Sequence, residues 1–247
     1  MTRLDQALVE RGLCESREKA KRAVLAGQVR INSRPARKPG QPVKPADTLT
    51  LDAGEKYVSR GGHKLEHALR HFQLDASGRV ALDLGASTGG FTDCLLQHGA
   101  AKVFAVDVGR GQLAWKLRLY RRVVVMEKTN ARLLTAAQFP QPFAPVDLAV
   151  IDCSFISLRK ILPAAVPLLK PDGKIVALIK PQFEAGKDEA DRGRGVIRDA
   201  AIHERVLAEL QKFVAAQSGL CWRNVVESPL LGPAGNKEFL VLIEKEH

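Results

Sequence analysis

From residue 80 onward the chain carries short, unbroken apolar runs at 80–84, 103–106, 123–126, 148–151, 175–179, 222–226 and 239–243. Runs of this length, rich in Val, Ile, Leu and Ala, predict strands buried on both faces rather than the alternation of a half-exposed sheet. Between them, helical stretches are predicted at 91–98, 112–119, 158–169 and 199–217, and a further helix at 63–72 precedes the first strand. Strands alternating with helices in this way predict an α/β fold built on a doubly wound, seven-stranded Rossmann-like sheet. Only residues 228–237 join the last two runs. That is too short for a crossover helix, so the final strand is predicted to run antiparallel.

The first 52 residues follow another rhythm. Leu4, Ala7 and Leu8 form one helical stripe ended by Gly12, and Ser16 caps a second helix whose Ala20, Ala23 and Val24 share a face. Gly27 stops that helix, and Val29 and Ile31 alternate with polar neighbours as a strand before the Asn32-Ser33 turn. A small α+β domain at 1–52, a linker at 53–60 and an α/β domain at 61–247 are therefore expected. At 247 residues and 45% hydrophobic content, the chain can bury one substantial core and a small second one.

Charge narrows the choice of partner. The formal net charge is +11, and residues 1–60 hold 13 Lys and Arg against 7 Asp and Glu. An anionic partner follows, nucleic acid ahead of an acidic membrane surface. In the second helix Arg22 points away from the apolar face with Lys19 and Lys21 beside it, and the cations continue through Arg30, Arg34, Arg37, Lys38 and Lys44. Helix and hairpin can thus present one phosphate-binding surface instead of a merely solvated face. Cysteines 14, 94, 153 and 221 are scattered without a C-x-x-C pair, which predicts reduced thiols in a cytoplasmic protein and no metal site. The first residues lack an apolar signal core, and no apolar run approaches the roughly 18 residues of a membrane span. Neither secretion nor membrane spanning is expected.

The chemistry concentrates around the first run of the α/β domain, where the strand enters a turn with glycines at 85, 89 and 90 that opens a helix. Ser87 stands where a dinucleotide fingerprint needs its second glycine, so a bulky pyrophosphate is disfavoured. Asp107 ends the second strand, 24 residues beyond Asp83, where a carboxylate can accept both hydroxyls of a ribose. A phosphate-free nucleoside fits this loop, and S-adenosylmethionine fits it better than NAD or ATP. The candidate cofactor contacts are Asp83, Gly85, Ser87, Thr88, Gly89, Gly90, Phe91, Asp107 and Asp152, with Glu127 and Asn130 after the third strand for an adenine edge. Asp83 can alternatively hold the loop itself, and Asn130 can cap a helix.

Four charged residues stand at element boundaries around the same rim: Lys64 starts the extra helix, Asp152 follows the fourth strand, Lys180 follows the fifth and Glu238 begins the last. Methyl transfer from a sulfonium to a ribose hydroxyl needs an in-line approach and removal of a proton from a weakly acidic alcohol. Two lysines flanking an aspartate can supply both, one lysine held cationic by the carboxylate and the other taking the proton. Cys153 is expected to be an apolar filler, Trp115 and Trp222 core or interface residues, and Phe155 a candidate for base stacking. Residues 184–199, with Lys187, Arg192, Arg194 and Arg198, are expected to clamp RNA and order on binding.

Resemblances then sharpen the reading. The order Arg3-Leu4-Asp5, Ser16-Arg17, Ala20, Gly27-Gln28-Val29 and Ile31-Asn32 resembles the S-four-type RNA-binding domain. Lys64, Asp152, Lys180 and Glu238 resemble the Lys-Asp-Lys-Glu tetrad of FtsJ-like ribose 2′-O-methyltransferases. The surrounding words 59–65, 83–93, 152–158 and 180–186, behind an S-four-type domain, look like the TlyA family of ribosomal RNA methyltransferases, some of whose members carry the name hemolysin. The resemblance implies methylation of a cytidine ribose 2′-hydroxyl in ribosomal RNA, free or within a ribosomal subunit, with Lys64, Asp152, Lys180 and Glu238 catalytic. Arg3, Arg17, Lys21, Arg22, Arg30, Arg60, Arg192 and Arg194 are the expected RNA contacts, on a monomer or weak homodimer away from membranes. Two other readings stay in view: an RNA-binding assembly factor without turnover, and a membrane-lytic protein, which lacks an amphipathic apolar segment to support it.

Overall fold

The computed structural model describes residues 1–52 and 54–246, without the side chains of Lys187, Ala190 and Arg192. Two compact units result, Met1–Lys56 and Tyr57–His247. Tyr57 to Arg60, which the sequence placed in the linker, belong to the second: the Tyr57 side chain is buried, and the Val58 N–H donates to Asp93 at 2.9 Å.

In the first unit, β1 (Thr2–Arg3) leads into α1 (Leu4–Glu10) and α2 (Arg17–Leu25), followed by β2 (Val29–Ile31), β3 (Arg34–Pro35), β4 (Pro42–Val43) and β5 (Leu49–Leu51). β1 pairs with β4, and β2 sits between β3 and β5. The predicted stripe closes the core, with Leu4, Leu8, Ala20, Val24, Val29 and Val43 packed together. The Ser16 hydroxyl accepts from the Lys19 N–H at 3.3 Å, the N-cap the sequence called for.

One polar group breaks that core. Asp5 is fully buried, and a buried carboxylate is tolerated only when paired. Arg3 donates to it through Nε at 3.1 Å and Nη2 at 3.2 Å, and Arg17 through Nη2 at 3.2 Å. The Arg3 guanidinium beside it holds the Asp5 carboxyl down at about 2. Both arginines remain about half exposed, so the buried acid fixes two surface cations at the starts of two helices.

The second unit begins with α3 (Gly61–His71) and continues through β6 (Val80–Leu84), α4 (Gly90–Gln97), β7 (Lys102–Val106), α5 (Trp115–Arg118), β8 (Val123–Met126) and β9 (Val146–Ile151). Then come α6 (Leu158–Ala165), β10 (Leu169–Ile179), α7 (Pro181–Glu184), α8 (Lys187–Arg192), α9 (Ala200–Ala215), β11 (Leu220–Glu227) and β12 (Phe239–Lys245). Among the described residues seven strands form one sheet in the order β11-β12-β10-β9-β6-β7-β8. β6 to β10 are parallel, and β12 runs antiparallel to both β10 and β11, as the short connection required.

The unbroken apolar runs are explained by two cores. Along β10, Ile175, Ala177 and Ile179 enter the core with α6 and α9, while Val176 and Leu178 enter the one with α3 and α4. Successive strand residues face opposite sides, so a sheet covered on both reads as continuously apolar.

Two elements differ from the pattern. The helix expected at 112–119 shrinks to Trp115–Arg118, because Ala114 is extended and its N–H donates to the Thr88 carbonyl at 3.1 Å. The helix expected at 158–169 ends at Ala165 with Pro163 inside it, a 3₁₀ turn covers Val166–Leu168, and β10 already starts at Leu169. A register shift between Leu169 and Lys174 absorbs the extra length.

Candidate active site

The chain leaves β6 for β7 and β8 on one side, then crosses over to β9 on the other. This reversal opens a crevice at the carboxyl ends of β6 and β9, where open α/β sheets bind their ligands. The backbones there interlock: the Asp152 N–H donates to Leu84 O at 2.9 Å and the Gly85 N–H to Val106 O at 2.9 Å. Gly85 has φ +86°, and a Cβ on it would stand 2.6 Å from the Asp152 carbonyl oxygen. Only glycine lets the loop lie this close to Asp152.

Two clefts meet at this crevice. The first, about 270 Å³, is lined by Lys64, Asp152, Lys180 and Glu238 together, with Ser154 and Arg60 among the other walls. Lys64 is ion-paired with the nearly inaccessible Glu238. Lys180 Nζ lies 2.6 Å from Asp152 Oδ1 and donates to Ser154 Oγ at 2.8 Å. Pro181 opens α7 and keeps Lys180 extended, so its side chain stays at the strand end instead of turning into the helix. Of the predicted cofactor loop, Gly85, Ser87, Thr88, Gly90 and Phe91 line this cleft.

The second cleft, about 420 Å³, is walled by Val106, Val108, Ile156 and Ile161 and carries Asp107, Gln112 and Asn130 as polar groups. It shares Gly85, Ser87, Asp152 and Ser154 with the first. Asp107 accepts from the Ser87 N–H at 2.8 Å and the Gly109 N–H at 2.7 Å, so one carboxylate fixes both loops and keeps lone pairs for a ligand. Apolar walls for a flat ring, beside a carboxylate suited to a diol, fit a nucleoside, and the volume falls in the range of small-molecule sites. Asn130 also caps the following 3₁₀ turn by accepting from the Arg132 N–H at 3.0 Å.

Three expected cofactor contacts line neither cleft. Glu127 is drawn away by Arg118 and accepts from the Gly111 N–H at 2.8 Å, the bond that does most to hold its carboxyl below the usual range. Gly89 faces Leu117 and Leu113. Asp83 is fully buried and accepts from Thr92 Oγ1 at 2.6 Å, so it secures α4 to β6 from within.

Burial also pushes the Asp83 carboxyl up to about 7, with Asp152 and Asp107 adding to the rise. A folded-state value above the unfolded one means that the folded chain keeps the proton longer. The resulting stability is fully present below about 4 and is lost as pH rises through about 7. Urea midpoints should therefore fall over that interval in the wild type and flatten in Asp83→Asn; equal slopes in both would contradict the assignment.

The predicted RNA contacts scatter by origin. Arg3 and Arg17 are anchored on Asp5, Lys21 lies 4.0 Å from Glu18, Arg22 is exposed, and Arg30 donates to Asp52 at 2.9 Å. Arg60 lines the first cleft. Arg194 is exposed in a left-handed conformation, and the Arg192 side chain lies outside the described residues. Phe155 is 89% exposed with φ +63° and lines the second cleft against Phe183. Trp222 packs against the core, whereas Trp115 is not a core residue at all, being 73% exposed. Ser154 was missed: a serine three residues beyond a strand end carries no signal until Lys180 is placed beside it. Among the described residues no group of three or more His, Cys, Asp and Glu is placed to hold a metal ion.

Known proteins share this architecture. Residues 57–245 match the FtsJ-like methyltransferase family and residues 2–49 the S4 domain. The 16S/23S rRNA (cytidine-2′-O)-methyltransferase TlyA of Mycobacterium tuberculosis is 48% identical over 248 residues, covering 99% of this chain and 90% of the relative. Hemolysin A of Brachyspira hyodysenteriae is 41% identical over 239 residues, covering 96% and 98%. A solved structure of a hemolysin-named protein from Streptococcus thermophilus superposes with TM-score 0.74 at 46% identity, covering 99% of this chain and 88% of the other.

Proposed function

The chain belongs to the FtsJ-like methyltransferase family, and from that membership we propose that it transfers the methyl group of S-adenosylmethionine to the 2′-hydroxyl of a cytidine ribose in ribosomal RNA. The observation that carries the reading is the convergence of Lys64, Asp152, Lys180 and Glu238 in one cleft that shares a wall with a nucleoside-shaped one.

In this reading Gly85, Ser87, Asp107 and Asn130 hold the nucleoside part of the cofactor, and the cofactor supplies an electrophilic methyl group. Asp152, on the shared wall, fixes Lys180 Nζ at the boundary between cofactor and acceptor. Lys180, reacting as the free amine, takes the proton of the ribose hydroxyl and becomes the ammonium as the new bond forms, and Ser154 holds its Nζ in line. The Lys64–Glu238 pair orients the ribose from the opposite wall. Most of the acceleration expected of such a site comes from alignment and from a proton acceptor within reach. Arg60 at the cleft and the basic first unit hold the RNA through its phosphates, in the cytoplasm and on a ribosomal subunit. Among the described residues no helix is long and apolar enough to cross a membrane.

The test is incorporation of tritiated methyl from S-adenosylmethionine into ribosomal subunits that lack the modification. Label recovered on a cytidine 2′-oxygen is the expected result. No label on any ribosomal substrate, with cofactor binding demonstrated, would leave an RNA-binding assembly factor instead.

A further inference from the structure

One part of the surface is used by none of this chemistry. Residues 110–122 contain five cations, Arg110, Lys116, Arg118, Arg121 and Arg122, and no acid. Lys116 is balanced by Asp93 at 2.9 Å and Arg118 by Glu127. Among the described residues Arg122 donates only to a neutral carbonyl, Ala100 O, at 2.8 Å. Among the described residues Arg110 and Arg121 have no ion-pair partner, and both are exposed.

Three large apolar side chains stand out among these cations: Trp115 at 73% exposure, Leu119 at 67% and Tyr120 at 47%. The backbone beneath them is well anchored. Leu113 and Leu117 are buried under the cofactor loop, where a Cβ on Gly89 would strike both, and the Ala114 N–H is bonded to Thr88 O. The segment is therefore a rigid platform beside the edge strand β8. Cations near an exposed edge ordinarily guard it against pairing with another chain. Guarding does not call for a Trp, a Leu and a Tyr turned to solvent, which would promote association.

The geometry points to a second RNA-binding face here, with bases stacking on Trp115 and Tyr120 while Arg110, Arg121 and Arg122 meet the flanking phosphates. Exposed rings interleaved with uncompensated guanidiniums are the pairing that single-stranded nucleic acid uses. A second copy of the chain would bring the same cations against each other, which disfavours self-association. The face lies at the β8 end of the sheet, on the other side of β6 and β9 from Lys180 and the 184–199 segment. It serves an extended RNA rather than the nucleotide in the cleft, and it requires only that the partner be RNA.

Two variants of the full chain test it, Trp115→Ala with Tyr120→Ala and Arg110→Glu with Arg121→Glu. Binding to deproteinised ribosomal RNA and to ribosomal subunits is measured across a salt series, with cofactor affinity as the control. The aromatic variant should bind RNA roughly tenfold more weakly with an unchanged salt slope. The charge variant should lower the log–log slope by roughly 0.7–0.9 per lost contact. Unchanged affinity and slope in both would overturn the inference. Weakened binding to subunits with unchanged binding to bare RNA would assign the face to a ribosomal protein and overturn it too. The proposed reaction fails separately, if wild-type protein binds RNA through this face and transfers no methyl group.

Discussion

Lys180→Met should slow methyl transfer by a factor on the order of 10²–10⁴, the usual worth of a positioned general base, while cofactor affinity stays within a few-fold. Lys180 lines only the cleft that holds the charged tetrad, not the nucleoside-shaped one, so its loss leaves the cofactor walls intact. Asp152 then loses its counter-ion; its side chain is a quarter exposed but the oxygen that faced Lys180, Oδ1, is buried, so cofactor affinity is the readout that shows whether the loop has held. Lys180→Arg separates two roles for the same residue. Arginine keeps the positive charge beside Asp152 and does not give up its proton at neutral pH. An inactive arginine variant therefore identifies the amine as the proton acceptor, whereas recovered transfer would reduce it to a fixed cation. Full activity in Lys180→Met would remove the tetrad from the mechanism. Activity and cofactor binding lost together would show only that the loop had collapsed.

Much of this site could be read from the chain because strand ends are legible. A sheet buried on both faces writes its strands as short apolar runs, and a charged residue where a run stops, as with Asp107, Asp152 and Lys180, is placed on the rim by that fact alone. The same rule misled at Asp83. It stands one residue before β6 ends, where the period of two turns it inward to Thr92 instead of out to the crevice. Glu127 also follows a strand, but Arg118 on a neighbouring element takes its carboxylate, and such pairing has no local signature. Helix ends suffered for a related reason. The bond from Ala114 to Thr88 unwinds the start of α5 through a tertiary contact that periodicity does not encode. Trp115 shows the limit most clearly, since composition favours a buried tryptophan and only the packing of Leu113 and Leu117 beneath it turns the ring outward.

The two clefts are chemically distinct but mechanically one. Gly85, Ser87, Asp152 and Ser154 belong to both, and Gly85 rests directly on the Asp152 backbone. A ligand that settles the glycine loop also settles the carboxylate that holds Lys180. Cofactor binding should thus order the acceptor side of the site before RNA arrives, the preorganisation on which alignment-based catalysis depends.

Glu238→Ala should cost roughly 3–5 kcal/mol of folding stability, because it leaves the Lys64 ammonium buried without a counter-charge. Glu238 is 1% exposed, the Lys64 side chain 9%. The site has been shaped around the carboxylate: a Cβ at Gly232 would stand 2.5 Å from Glu238 Oε1, and the Ser228 N–H donates to the Glu238 carbonyl at 2.8 Å, which fixes the start of β12. The double variant Lys64→Met with Glu238→Leu removes both charges at similar volume, and such replacements are often neutral or stabilising. Urea denaturation should show the single variant strongly destabilised and the double variant restored to near wild type, with methyl transfer still absent from the restored protein. That combination would assign the pair to catalysis rather than to folding. Equal stability of the single variant and the wild type would mean that solvent already screens the pair, and active double variant would free Lys64 and Glu238 of any part in positioning the ribose.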